Sequence, residues 1–206
     1  MNRKIRLVVF DMGEVLWTEV EDSRAILWTE LKGNRKVFID KEGGEGRYGF
    51  YMIDENSMFR RPGIANRLRT GVKELFEELY RRRIHVSIDS LNVPEAWRWI
   101  EQDFFNLNIN GFVKYSKIAN PVDKELIKGI WLKEIIEQWN QNECKEDPIR
   151  NEQVLFVDDN KKNHKDVLKV CPGVTCIYPI TYGKKGMLRI IEVIEIIERE
   201  NFIQEF

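Results

Sequence analysis

The chain has 206 residues, of which 43% are hydrophobic, and its 33 Lys and Arg nearly balance its 34 Asp and Glu, giving a formal net charge of −1. This length fits a single α/β domain with a full core and a small insert better than two large domains. The scattered basic residues argue against binding of nucleic acid, and no run approaches the ~20 apolar residues of a membrane span. The three cysteines lack metal-ligand spacing, so we expect reduced thiols in a cytoplasmic protein.

Two short apolar runs each end in aspartate. Residues 7–10 precede Asp11, and residues 154–157 precede Asp158 and Asp159. Unbroken apolar runs of this length predict central strands of a parallel sheet, and ligand sites in open α/β sheets lie at the carboxyl ends of such strands. A single acid at a strand end is often only a helix cap or a turn residue. Two such clusters at one rim instead predict a shared site for Mg²⁺, which would hold a phosphate.

The segment from about 18 to 60 is predicted to be an insert. Residues 36–40 and 48–53 flank the glycine-rich turn 41–46, which indicates a β-hairpin. This hairpin would either lie over the rim as a flap or extend the edge of the sheet.

The remaining elements alternate between helix and strand. Helical spacing of apolar residues predicts a helix from about 64 to 82, and residues 84–90 read as a strand. Later elements are a helix from Val93, a short strand at 112–115, a long helix from Pro121 to about Gln141, a loop at 140–151, a strand at 174–177 and a helix at 187–201. This alternation predicts a doubly wound, mostly parallel α/β sheet with helices on both faces.

Four segments, in order, resemble the motifs of the haloacid-dehalogenase-like (HAD) hydrolase superfamily. They are residues 8–16 with Asp11, residues 86–90 with Ser90, Lys124, and residues 156–163 with the acidic pair. The resemblance covers nearly the whole chain and is greatest for the capless magnesium-dependent phosphatase branch. It implies one Rossmann-like HAD domain over residues 1–206, with a small β-hairpin insert in place of a large cap.

The resemblance also implies roles for individual residues. Asp11 would be the nucleophile that forms an aspartyl-phosphate, and Ser90 and Lys124 would act in catalysis and bind the phosphate, with Lys117 as a competing choice for the lysine. Asn92 would also bind substrate, and Asn163 would face the metal or its waters. The implied ligands of Mg²⁺ are Asp11, the backbone carbonyl of Gly13, Asp159 and Asp158.

One position departs from the pattern of the superfamily. Most of its phosphatases have a second aspartate two residues after the nucleophile, as general acid and base, and this chain has Gly13 there. Such a group contributes about 10²–10⁴-fold to the rate. Glu14, His85 and His164 are possible substitutes, although each histidine is more simply explained as structural.

The expected function is therefore a magnesium-dependent phosphatase that hydrolyses a phosphomonoester. The alternative is a catalytically impaired HAD-like protein that binds metal and a phosphorylated ligand or partner. The partner would be a phosphorylated small molecule or a phosphoprotein, with no nucleic acid and no membrane, and the sequence does not reveal the oligomeric state.

Overall fold

The computed structural model describes residues 4–23, 52–54, 57–61, 63–92, 107–119 and 125–203. Five parallel strands of the described residues form the main sheet: β1 (Leu7–Phe10), β6 (His85–Ser90), β7 (Lys117–Ile118), β8 (Val154–Val157) and β9 (Thr175–Ile177). Their order across the sheet is β7-β6-β1-β8-β9. Strand order reverses between β1 and β8, and this is where ligands bind in doubly wound folds.

Four α-helices accompany the sheet among the described residues. They are α1 (Val72–Arg81), α2 (Ile127–Asn142), α3 (Lys161–Val170) and α4 (Ile190–Ile203). Short 3₁₀ turns cover Ile109–Gly111, Asn151–Gln153 and Gly186–Arg189. None of the described helices is both long and apolar enough to cross a bilayer.

Alternate residues of β1 face two separate hydrophobic cores. Val8 and Phe10 pack with the buried face of α1 and with α4, whereas Leu7 and Val9 pack with α2 and α3. This alternation is the period-2 geometry of a strand that is buried on both faces. The doubly wound α/β sheet with helices on both faces is therefore confirmed.

Helices α2 and α3 approach each other closely at Gly129. A Cβ atom at this position would lie 2.5 Å from the backbone oxygen of Asp166 and 2.8 Å from a methyl group of Val170. Only glycine fits without displacing backbone, so this residue sets the distance between the two helices.

A second, antiparallel sheet is inserted between β1 and α1. Its order is β2-β5-β4-β3, from β2 (Trp17–Glu21), β3 (Met52–Asp54), β4 (Ser57–Arg61) and β5 (Ile64–Leu68). Most of the predicted hairpin, including its glycine-rich turn, lies outside the described residues. The root of this sheet joins the main core, because Trp17 and Leu68 are buried in the same cluster as Phe10.

The prediction of a helix from residue 64 is wrong. Residues 64–68 form β5, which hydrogen-bonds to β2 on one side and to β4 on the other, and the helix begins at Val72. Leu68 and Val72 have helical spacing but lie in different elements. Strand pairing across the insert decided the conformation, which local spacing alone does not show.

Other boundaries also differ from the predictions. Residues 112–115 make only an isolated bridge, Val86 to Val113, and the edge strand is Lys117–Ile118. The long helix starts at Ile127, because Leu126 has a left-handed backbone with φ of 55°, and it extends to Asn142. Its predicted start at Pro121 lies outside the described residues, as does the predicted helix from Val93. All three cysteines are free.

Candidate active site

Three aspartates lie side by side at the carboxyl end of the main sheet. Phe10 is in register with Ile88 of β6 and with Val157 of β8. Asp11, Asp89 and Asp158 each follow one of these paired residues, so they stand at the same level on three adjacent strands. This alignment is a consequence of parallel pairing and brings residues from distant parts of the chain together at the point where strand order reverses.

Asp11, Asp158 and Asp159 form a cluster that could hold a cation. One carboxylate oxygen from each lies within 4.8 Å of the others. Asp158 is fully buried, Asp11 has a side chain that is 14% exposed, and Asp159 is exposed. The cluster therefore has a buried floor and an open side, as an ion that also binds substrate requires.

Neighbouring residues fix the Asp158 carboxylate. It accepts hydrogen bonds from the backbone N–H of Asn160 at 2.8 Å and from the side-chain amide of Asn163 at 3.0 Å. Asn160 also caps α3, because its side chain accepts from the N–H of Lys162 at 2.9 Å. The start of α3 thereby orients one acid of the cluster, and Asn163 contacts Asp158 rather than standing apart from the site.

Among the described residues, Lys128 is the cation in contact with Asp11. Its Nζ donates to Oδ1 of Asp11 at 2.9 Å and to the backbone carbonyl of Asp89. It also lies 3.5 Å from Oδ2 of Asp158 and 3.6 Å from Oδ1 of Asp89. The side chain is only 1% exposed, so a charged group is held in the core by three carboxylates and one carbonyl.

The sequence-based reasoning missed Lys128, although its spacing carried a signal. Lys128 lies four residues before Leu132 and seven before Ile135, on the buried face of α2. A lysine in register with the apolar stripe of a helix needs a buried counter-ion, which marks it as a site candidate. Lys124, the predicted lysine, lies outside the described residues, and Lys117 forms an ion pair with Glu134 at 2.6 Å.

Asp89 is the second residue of the site that was not predicted. It is fully buried, and neither carboxyl oxygen has a hydrogen-bond partner among the described residues. Burial, followed by the attraction of Lys128 and the repulsion of Asp11 and Asp158, leaves the pKa of Asp89 raised to about 8. A carboxyl in this position is costly to the fold.

Two acids of this cluster, Asp158 and Asp159, also resist ionisation. Burial raises the pKa of Asp158, and the charge of Asp11 adds to this effect while Lys128 opposes it. Burial and the charge of Asp11 likewise raise the pKa of Asp159. Clustered acids with raised pKa values are the arrangement that a divalent cation relieves.

The remaining predicted residues lie at or near the same rim. Ser90 ends β6 and is buried, and Asn92 follows it in a half-buried bend. Gly13 follows Asp11 by two residues and makes an isolated bridge to Trp17. A Cβ at Gly13 would meet no atom of the described residues within 4 Å, so these residues leave space for a side chain at the position of the missing second aspartate.

None of the three possible substitutes for that aspartate is free for the role. The carboxylate of Glu14 accepts from the hydroxyl of Thr18 at 2.7 Å and from the guanidinium of Arg69 at 3.0 Å. His85 begins β6, at the opposite end of the strand, and stacks on Trp139 with ring centroids 4.2 Å apart. His164 is buried, with Nε2 at 2.9 Å from the backbone oxygen of Asp158.

No protein-family model and no curated protein matches this chain. Several solved structures, however, are similar to it. A HAD-superfamily hydrolase from Ehrlichia chaffeensis matches with a TM-score of 0.51 and 15% identity, covering 94% of this chain and 98% of that one. Cobalt-bound deoxy-D-mannose-octulosonate 8-phosphate phosphatase from Haemophilus influenzae matches with a TM-score of 0.48 and 14% identity, covering 95% and 90% of the two chains.

A third similar structure is the Mg-complexed N-terminal part of a Bacteroides fragilis protein, which contains a phosphatase domain. Its TM-score is 0.49 at 14% identity, with 94% of this chain and 40% of that chain covered. At 15% identity, the match to the Ehrlichia protein shows the fold alone. Together with the strand order 3-2-1-4-5 of the main sheet, it shows that the chain has the fold of the HAD-superfamily hydrolases.

Proposed function

We propose that this protein is a magnesium-dependent phosphatase that hydrolyses a phosphomonoester through an aspartyl-phosphate on Asp11. The observation that carries the proposal is the position of Asp11. This residue belongs to the acidic cluster, which is open on one side, and its carboxylate lies 2.9 Å from the ammonium of the buried Lys128. A scaffold has no physical need for a buried lysine that faces three carboxylates, whereas phosphoryl transfer needs a cation and a nucleophile together.

The donor set fits Mg²⁺. All three side-chain ligands are carboxylates, which are hard oxygen donors. Asp11, Asp158 and Asp159 would hold the ion, with the backbone carbonyl of Gly13 as a further ligand. When bound, the ion would neutralise charge on the phosphoryl group of the substrate.

The chain's own residues would carry out the reaction in two steps. An oxygen of Asp11 attacks phosphorus, the bond from phosphorus to the ester oxygen breaks, and the leaving oxygen takes a proton from water. Water then attacks the phosphorus of the aspartyl-phosphate, which releases inorganic phosphate and restores the carboxylate. Lys128 pairs with the phosphoryl charge in both steps, and the hydroxyl of Ser90 donates to a phosphate oxygen.

Gly13 supports a second candidate function. Without a general acid next to Asp11, a poor leaving group lacks its proton donor, and turnover would be slower by about 10²–10⁴-fold. The protein would then bind metal and a phosphorylated ligand or partner with little turnover. An aryl phosphate separates the two functions, because its leaving group departs without protonation: a phosphatase that lacks only the general acid still hydrolyses it, whereas a protein that only binds the phosphorylated ligand does not.

The first experiment is therefore magnesium-dependent hydrolysis of an aryl phosphate. The purified protein, an Asp11→Asn variant and an Asp147→Asn control are compared with Mg²⁺ and with a chelator. Asp147 is a surface aspartate, 85% exposed, so its amidation changes charge without touching the site. The phosphatase proposal predicts activity that requires Mg²⁺, disappears in Asp11→Asn and persists in Asp147→Asn.

A rapid acid quench with a radiolabelled phosphomonoester tests the intermediate, because label on Asp11 identifies the aspartyl-phosphate. Hydrolysis that survives in Asp11→Asn contradicts the proposal. Binding of phosphate through Mg²⁺ without any hydrolysis favours the second candidate. A panel of sugar phosphates and phosphopeptides then separates small-molecule substrates from phosphoproteins.

The three free cysteines are consistent with a protein that acts in the reducing environment of the cytosol, which is the location we propose.

A further inference from the structure

The Asp89 carboxyl is the least explained group in the site. It is fully buried, and both of its oxygens lack a hydrogen-bond partner among the described residues. Buried polar groups without partners are rare in folded proteins and indicate a function or a bound group. The superfamily motif that contains Ser90 does not explain a carboxyl at the position before it.

Lys128 is the one described ion-pair partner of Asp89. Its Nζ contacts the backbone carbonyl of Asp89 and lies 3.6 Å from the Asp89 carboxylate, just beyond hydrogen-bond distance. Asp89 is not part of the acidic cluster suited to a metal, which consists of Asp11, Asp158 and Asp159. Lys128 therefore has two carboxylate partners inside that cluster and one outside it.

The partners inside the cluster change during the proposed reaction. Cation binding shares the charge of Asp11 and Asp158, and phosphorylation replaces the charge of the Asp11 carboxylate by that of a phosphoryl group, which later leaves as phosphate. A buried ammonium that depended on these two residues alone would have no counter-charge that stays in place through both steps. Neither cation binding by the cluster nor phosphorylation of Asp11 involves the carboxylate of Asp89.

We infer that Asp89 is a positioning residue for Lys128, providing the counter-ion that keeps the ammonium beside Asp11 when metal and phosphoryl group are bound. This inference rests on the proposed phosphatase function. It assigns Asp89 no contact with substrate: the carboxyl acts through the lysine and thereby on the rate of the chemical step rather than on substrate binding.

The decisive variant is Asp89→Asn, which keeps the shape and removes the charge. Orienting partners of catalytic groups typically contribute about 10–100-fold to activity, so we expect kcat to fall by that factor while KM changes by less than about threefold. The Mg²⁺ affinity, measured by titration calorimetry without substrate, should stay the same. An unchanged kcat overturns the inference, and so does a weaker Mg²⁺ affinity, which would make Asp89 a metal ligand.

Ser87→Ala is the matched control. Ser87 is a buried polar residue two positions earlier on β6, where its hydroxyl donates to the carbonyl of Lys114 and accepts from the indole of Trp139. Its loss perturbs the strand without touching the site, so kcat should stay near the wild-type value. Equal losses of kcat in both variants would make the effect of Asp89 merely structural and overturn the inference.

Crystal structures of the wild type and of Asp89→Asn separate the inference from the proposed function. In the wild type we expect Nζ of Lys128 within hydrogen-bond distance of Asp11, and in the metal-loaded variant we expect it to leave that distance. If the wild type hydrolyses no phosphomonoester, the proposed function fails, but the position of Lys128 still decides the inference. An unmoved Nζ in the metal-loaded variant overturns it.

Discussion

Replacing Lys128 by methionine tests whether the site depends on one buried cation. The ammonium lies 2.9 Å from Asp11 and 3.5 Å from Asp158. At an effective dielectric constant of about 20, one unit pair at the shorter distance attracts by roughly 6 kcal/mol before desolvation is counted. Methionine fills the space of the stem but leaves the acids uncompensated, and breaking a buried pair in this way costs about 3–5 kcal/mol.

For a chain of this length, that loss corresponds to a Tm lower by roughly 6–20 °C. Thermal unfolding followed by circular dichroism, in metal-free buffer, measures it. The shift should be larger at pH 8 than at pH 5. Burial raises the pKa of Asp158, and without the lysine that pKa rises further, so acid pH neutralises the unpaired carboxyl. Lys128 itself, whose pKa is raised by its carboxylate partners despite burial, stays charged across this range.

Lys133→Met is the control on the same helix. Lys133 is 62% exposed and lies 3.9 Å from Glu137, a surface pair that contributes about 0.3–0.5 kcal/mol. The Tm of the Lys133→Met variant should therefore remain close to that of the wild type. A Lys128→Met shift no larger than that of Lys133→Met, or one that does not depend on pH, would refute the electrostatic account of the site.

Three further predictions follow from the same geometry. Gly13→Asp should fold normally, because a Cβ there meets no atom of the described residues within 4 Å. It should raise kcat for alkyl phosphates by up to about 10²-fold while changing aryl phosphate hydrolysis little; no gain on alkyl substrates contradicts this. In metal-free buffer, Asp89→Asn should be more stable than the wild type at pH 8 by on the order of a few kcal/mol, measured by urea unfolding. Burial raises the pKa of Asp89 to about 8, so the metal-free wild type loses stability as pH rises from about 4 to 8; equal stability at pH 8 would show that the carboxyl is not strained. Mg²⁺ at 100 times its Kd should stabilise the wild type by about 2.7 kcal/mol in a thermal shift assay, with the effect lost in Asp159→Asn and kept in Asp147→Asn.

Some features of the fold were predictable because they depend on short segments. The strands that carry Asp11 and Asp158 are unbroken apolar runs, and such runs are buried on both faces whatever surrounds them. The end of each run was equally clear, because the apolar pattern stops at the acid. The placement of these acids at one rim followed from parallel pairing alone.

Other features depended on contacts between distant segments. Residues 64–68 have apolar positions that suit a helix, yet pairing with β2 and β4 makes them a strand. The spacing of apolar residues along the chain does not show which partner strand is available, and so the start of the helix was predicted too early. The same limit applies to the edge strand at Lys117–Ile118, whose short length leaves almost no sequence signal.

The residues of the candidate site also fall into those that the sequence predicted and those that only the tertiary structure placed. Sequence alone placed Asp11, Asp158 and Asp159 together, because each follows a recognisable strand. Only the tertiary structure placed Lys128 and Asp89 among them: the close approach of α2 at Gly129 sets the depth of the lysine, and the register of β6 sets the level of the aspartate. A charged residue inside an apolar pattern is ambiguous until its partner is located, because the energy that permits its burial belongs to the pair.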